Sequence, residues 1–130
     1  MSIDSIRLNS KARNQLITLK RKTKIENWSI LCRWAFCLSL RKPEIPSDSM
    51  IGGEVAIEMT WRTFGGEYAD VYLGLLKYRC LKDQLPIDDD TLSIQLRRHL
   101  HRGIGHLVGN KNLNGIEDLI AITTDSYQGQ

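Results

Sequence analysis

The sequence predicts a mainly α protein, a compact helical domain of about five helices with a short N-terminal extended segment. Its first part has the strand–helix–helix order of a ribbon-helix-helix protein. Three observations predict this. Apolar residues recur at three- and four-residue spacing through most of the chain. Capping residues and Gly or Pro breaks bracket those stretches. At 130 residues the chain accommodates one hydrophobic core and leaves little room for a second. Residues 1–130 are therefore expected to form a single domain.

From Ile3 to Leu8 the pattern is extended, because Ile6 and Leu8 alternate with Ser5, Arg7 and Asn9. Ser10 is the expected N-cap of a first helix over Lys11–Thr23. At about 100° per residue its Ala12, Leu16, Leu19 and Thr23 share one face. Arg13, Lys20 and Lys24 line one flank of that face, Lys11 and Lys22 the other, and Arg21 the back. Asn27 caps a second helix, Trp28–Arg41, which the Pro43–Pro46 segment ends. Trp28, Ile30, Leu31, Trp34, Ala35, Phe36, Leu38 and Leu40 surround nearly its whole circumference. A helix apolar all round is buried on more than one side. This predicts an oligomer interface formed by Trp28, Leu31, Trp34, Phe36 and Leu38.

Residues 1–42 thus form a basic strand–helix–helix segment, and 43–62 a loop and extended lead-in. Within that lead-in, Glu54–Trp61 alternates Val55, Ile57, Met59 and Trp61 with polar positions. Residues 63–122 form the helical remainder. After Gly65–Gly66 a third helix runs over Glu67–Gln84, with Tyr68, Val71, Tyr72, Leu75, Leu76 and Arg79 as its stripe. Asp88–Asp90 open a fourth, Thr91–Arg102, which turns Leu92, Leu96 and Leu100 inward and is stopped or bent by Gly103 and Gly105. Asn114 caps a last helix over Gly115–Ile122, and residues 123–130 form a frayed tail.

Charge is segregated along the chain. Residues 1–42 hold ten Lys or Arg against Asp4 and Glu26, whereas residues 43–96 hold four against ten acids. The first helix carries no acid to neutralise its cations. A concentrated positive field suits a polyanion, since each cation that meets a phosphate releases counterions. Arg7, Lys11, Arg13, Lys20, Arg21, Lys22 and Lys24 are the candidate phosphate contacts. The ordinary alternative is a solvated helix face. A second basic group, Arg98 and Arg102 with His99, His101 and His106, lies beside Gly103 and Gly105, where backbone N–H groups could approach a phosphate. Cations at a helix C-terminus are also favoured by the dipole alone.

Other chemistries find little foothold. His99 and His101 project about 200° apart on a helix, so they do not share one ion, and no metal site or cofactor is expected. Cys32, Cys37 and Cys80 form no C-x-x-C pair and no disulfide framework. Asp88–Asp90, and Glu67 with Asp70, sit where helix starts favour acids, with no third group to complete a nuclease-like set. Trp28, Trp34 and Trp61 could stack on bases, although core packing accounts for them. No enzyme activity is expected. No secretory signal is expected, since the N-terminal residues lack an apolar h-region, and the longest apolar run, Ile30–Leu40, is interrupted by Arg33 and too short for a membrane. The expected location is the cytoplasm.

Three stretches carry a resemblance: IRLNSKARNQLITLKRKTKIENWSILCRWAFCLSLRKPEIP, EMTWRTFGGEYADVYLGLLKYRC and LRRHLHRGIGHLVG. With the spacing between them they cover roughly Ile6 to Ile122. The chain resembles the DndE family, the small component of the DNA phosphorothioation (sulfur-modification) system. The resemblance implies a mainly helical, self-associating protein, a tetramer, that binds DNA and prefers nicked duplex. It also implies partners, namely the sulfur-transferring and ATPase subunits of the same system, and no catalytic residue. Lys11, Lys20, Lys22 and Lys24 match the family's basic surface. Two other readings stand beside it. In a ribbon-helix-helix repressor, Ser5, Arg7 and Asn9 would read bases from paired strands. In a scaffold that binds no DNA, the basic face would dock an acidic subunit.

Overall fold

The computed structural model describes residues 5–48 and 52–128. Ile3 and Asp4 of the expected extended segment lie outside the described residues. Strand β1 (Ser5–Asn9) leads into helix α1 (Ser10–Thr23) and helix α2 (Trp28–Leu40). After the loop come strand β2 (Val55–Thr60), the one-turn helix α3 (Trp61–Gly65) and a 3-10 turn (Gly66–Tyr68). Helices α4 (Ala69–Lys82), α5 (Asp89–Gly109) and α6 (Ile116–Gln128) complete the chain.

The two strands pair antiparallel with each other, Arg7 opposite Glu58 and Leu8 opposite Ile57, with an irregularity between Leu8 and Asn9. Alternation puts Ile6 and Leu8 into the core, while Arg7 points outward. The N-cap of α1 is Asn9, not Ser10. Its Oδ1 accepts the Ala12 N–H at 2.9 Å, and its Nδ2 donates to the Gly52 carbonyl at 2.9 Å. Asn9 is the last residue of β1 and its side chain turns inward, so it reaches the orphan N–H groups. At the other end Lys24 adopts the left-handed conformation, φ 65°, and its N–H donates to the Lys20 carbonyl.

Helix α5 is the organising element. It lies along α2 and also touches α1, α4 and β1. The expected stop at Gly103 does not occur, and α5 continues to Gly109. Gly103 is the point where α5 crosses the backbone of α2 at Ala35, so the absent side chain is what lets two helices approach. Helix α2 is therefore enclosed largely by its own chain. Leu31 and Phe36 are fully buried in the protein's core and offer no surface to a second copy. Trp28, Trp34 and Leu38 pack against the core and remain half-buried.

Helix α3 was not anticipated. Its last carbonyls are satisfied from α2, because Arg33 Nε donates to the Phe64 carbonyl and Nη2 to that of Thr63. Helix α4 starts at Ala69, after the 3-10 turn. Of its expected stripe, only Tyr72, Leu76 and Arg79 face inward, whereas Tyr68, Val71 and Leu75 are exposed. Helix α6 runs on past Ile122 to Gln128, where a frayed tail was expected. At its start the Asn114 backbone N–H donates to the Asp118 carboxylate, 2.9 Å. Residues 129–130 of the expected tail lie outside the described residues.

Candidate nucleic-acid interface

The face of α1 that carries Ala12, Leu16, Leu19 and Thr23 is buried. What remains outside is the cationic surface. Lys11, Arg13, Lys20, Arg21 and Lys24 are exposed and Lys22 is half-buried. None of these six pairs with a carboxylate among the described residues. Three of them, Lys20, Arg21 and Lys22, occupy the last turn of α1, where the negative end of the helix dipole also favours cations.

Arg7 differs. Its Nε meets Glu58 Oε2 across the two-stranded sheet at 2.7 Å, with both side chains more than half exposed. Such a pair contributes little and yields readily to a phosphate. The antiparallel partner of β1 belongs to the same chain, and Asn9 is committed to capping α1. The residues that a ribbon-helix-helix protein would present to bases are thereby largely engaged within the fold.

The second basic group is placed differently from expectation. Arg102 is 7% exposed. Its Nε donates to Ser39 Oγ at 2.8 Å, Nη2 to the Ser39 carbonyl at 2.7 Å and Nη1 to the Glu44 carbonyl at 2.7 Å. All its nitrogens are used to fasten α5 to the end of α2 and the loop beyond, so it is not a phosphate contact. Arg79 does the same from α4. It donates to the Leu40 and Glu44 carbonyls, each at 2.8 Å, and pairs with Asp83 at 2.8 Å in a buried setting. Arg98 is half-buried, and its Nη2 lies 3.7 Å from Asp48 Oδ2. Arg97 is turned toward β1 and donates from Nε to the Arg7 carbonyl at 2.9 Å.

His99 and His101 are structural, whereas His106 is exposed. His99 Nδ1 lies 2.8 Å from Ser39 Oγ, and its ring meets Phe36 edge-on. Burial, aided by Arg102 and Arg79, pushes its pKa down to about 3. His101 Nε2 accepts the Asn9 backbone N–H at 3.3 Å, which requires a lone pair there. Its Nδ1 then carries the proton and donates to the Arg97 carbonyl at 2.7 Å. Burial lowers the His101 pKa as well. Both rings are therefore neutral at physiological pH and add no charge to the basic face.

Among the described residues no group of three His, Cys, Asp or Glu is placed to hold a metal ion. Burial pushes the Cys32 thiol up to about 12 and raises Cys37 and Cys80 too. None of the three is poised as a thiolate nucleophile. The three tryptophans are half-buried and packed against the core. No helix among the described residues is long and apolar enough to cross a membrane.

The arrangement left for a partner is an exposed cationic helix face without acidic partners among the described residues. One feature was missed from sequence, an apolar surface on the outside of α4. Tyr78 and Leu81, apolar residues beyond the expected stripe, were its signal.

Comparison with known proteins bears on the same region. The model of the family described as DNA sulphur modification protein DndE matches residues 5–115. A crystal structure of DndE from Escherichia coli B7A, described as involved in DNA phosphorothioation modification, superposes with a TM-score of 0.66 at 24% identity. That match covers 82% of this chain and 98% of the other. No curated protein matches the sequence significantly.

Proposed function

Because the chain belongs to the DndE family of DNA sulphur modification proteins, we propose that it serves DNA phosphorothioation as a non-catalytic, DNA-binding accessory protein. The observation that carries this reading is the set of cations on α1 and its C-cap, Lys11, Arg13, Lys20, Arg21, Lys22 and Lys24, left without acidic partners among the described residues. Half a dozen unpaired cations on one helix create a local field that attracts the phosphate backbone irrespective of sequence. Arg7 and Arg98, whose ion pairs are partly exposed, extend the contact at its margin. The duplex is preferentially nicked, because a break in one strand lowers the energy needed to bend DNA across the basic surface. The sulfur chemistry is left to the other subunits of the system, which are the protein partners in this reading. Self-association belongs to it too, since Trp28, Trp34 and Leu38 keep part of their apolar surface open on α2. Such a protein works beside cytoplasmic DNA.

The test is a fluorescence-anisotropy titration against one duplex in intact and singly nicked forms. The reading expects binding to both, tighter for the nicked duplex by several-fold. Equal affinities would remove the nick preference. Undetectable binding to either at moderate salt would return the basic face to the role of docking an acidic subunit.

A further inference from the structure

Where the C-terminal ends of α2 and α5 meet α6 lies a cavity of about 380 Å³, a size within the range of small-molecule sites. Its walls divide by chemistry. Leu38, Leu107 and Ile122 supply apolar surface, while Arg41, Lys42, His106 and Asn110 supply hydrogen-bond donors. Among the described residues no carboxylate lines it. Cations at helix C-termini ordinarily serve the dipole and the orphan carbonyls. Here other groups already meet the carbonyls. Those of Leu38 and Ser39 accept the Arg41 and Lys42 N–H groups, Arg102 Nη2 adds a second bond to Ser39, and Arg79 Nη1 donates to Leu40. On α5 the Leu107 carbonyl accepts the Asn110 N–H. The side chains of Lys42 and His106 stay exposed, with no hydrogen bond or ion pair among the described residues.

The interior beneath adds to the positive field. Arg79 and Arg102 are both buried and both donate to the Glu44 carbonyl, and Asp83 is the buried carboxylate that pairs with Arg79. Two buried guanidinium charges against one buried acid leave an excess of positive charge, which an anion nearby would offset. That charge is felt at the cavity. Partial desolvation pushes the His106 pKa down, Lys42 and Arg102 push it further, and Glu44 alone opposes them. His106 is therefore neutral at physiological pH, and its ring offers one N–H donor near the Lys42 ammonium.

We propose that this cavity binds a small phosphate monoester with a flat apolar body, the chemistry of a nucleoside monophosphate. The phosphate lies between Lys42 and His106, with Arg41 at the rim, and the base lies on Leu38, Leu107 and Ile122. Each half of the site calls for one half of such a ligand. Inorganic phosphate alone would leave the apolar wall wet, and a neutral ring alone would leave the cations unanswered. The Asn110 amide carries both a donor and an acceptor, as the edge of a base does. A free nucleotide and the 5′-terminal nucleotide of a DNA strand share this chemistry. The inference does not rest on the contacts assigned to α1.

The experiment is equilibrium dialysis of the full chain against radiolabelled adenosine 5′-monophosphate, with inorganic phosphate and adenosine as competitors. The nucleotide is expected to bind about 10-fold more tightly than either fragment. Lys42→Gln is expected to weaken it about 10-fold, and His106→Ala a further 3-fold or so. Both side chains are exposed, so both variants should melt like the wild type. Lys20→Gln combined with Arg21→Gln, on α1, should leave nucleotide binding unchanged. A 5′-phosphorylated dinucleotide that competes more strongly than the mononucleotide assigns the site to strand ends; equal or weaker competition assigns it to the free nucleotide. No retention of the nucleotide overturns the proposal. So does an affinity that Lys42→Gln and His106→Ala leave unmoved, or one that the α1 variant abolishes. Inorganic phosphate competing as well as the nucleotide overturns the role of the apolar wall.

Discussion

Gly103 lies directly against Ala35: a methyl group at 103 would come within 1.9 Å of the Ala35 carbonyl oxygen. The crossing of α5 over α2 is closed at that point by two backbones, and the core from Leu31 to Leu107 is assembled around it.

Replacing Gly103 with Ala should therefore force the two helices apart and destabilise the protein by roughly 3 kcal/mol. Gly105, two residues on in the same helix, has nothing near its missing side chain. Gly105→Ala should be neutral or stabilise by up to about 1 kcal/mol through helix propensity. Thermal melts of the two variants should move in opposite directions.

Arg102 is a clasp in this account, not a DNA contact. Arg102→Ala removes three hydrogen bonds that fasten α5 to Ser39 and Glu44, although Arg79 still donates to the Glu44 carbonyl and the Lys42 N–H to that of Ser39, and should cost about 2 kcal/mol of stability. The affinity of the folded fraction for duplex DNA should stay close to that of the wild type. Denaturant titration and anisotropy on the same sample separate the two effects.

Acid should loosen the fold through His99 and His101. Both have folded-state pKa values below the ordinary value of 6.5, so the unfolded chain binds protons that the folded chain refuses. Stability is then full above 6.5 and falls as pH drops from 6.5 toward about 3 for His99. The slope reaches about 1.4 kcal/mol per pH unit per histidine. Protonation of His101 also removes the acceptor for the Asn9 N–H, at the junction of β1 and α1. Urea midpoints should fall clearly between about pH 7 and about pH 5; a flat response over that interval would contradict these assignments.

Lys24 separates stability from binding. Its left-handed backbone, φ 65°, costs a side-chain-bearing residue about 1 kcal/mol that glycine does not incur. Lys24→Gly should raise the melting temperature while weakening DNA binding, a combination that general damage to the fold cannot produce.

The sequence made local features legible and hid the non-local ones. The seam of α1, its cations and the cap at Asn27 follow from residues within a turn of each other. Alternation around Ile6 and Ile57 marked each strand, but nothing local could pair segments about fifty residues apart. Gly103 read as a helix stop because its justification, the Ala35 backbone, belongs to another helix. Arg102 read as a terminal cation for the same reason: the Glu44 loop that covers it is distant in sequence. On α4 the error was one of phase. Two apolar stripes overlap around that helix, and Tyr68, Val71 and Leu75 read as one stripe with Tyr72 and Leu76 although they face out. The basic face of α1 was the part of the candidate site most open to sequence reasoning, because exposure and charge are both written in a 3.6-residue repeat.

The central claim is that the α1 cations meet phosphates, and the salt dependence of duplex binding tests it most directly. Each phosphate contact contributes about −0.9 to the slope of log K against log[salt]. The wild type should give a slope of about −4 to −5, and the combined Lys20→Gln, Arg21→Gln and Lys24→Gln variant should lose about 2 to 3 of it. A slope unchanged by those three substitutions, in a variant that melts like the wild type, would contradict the account.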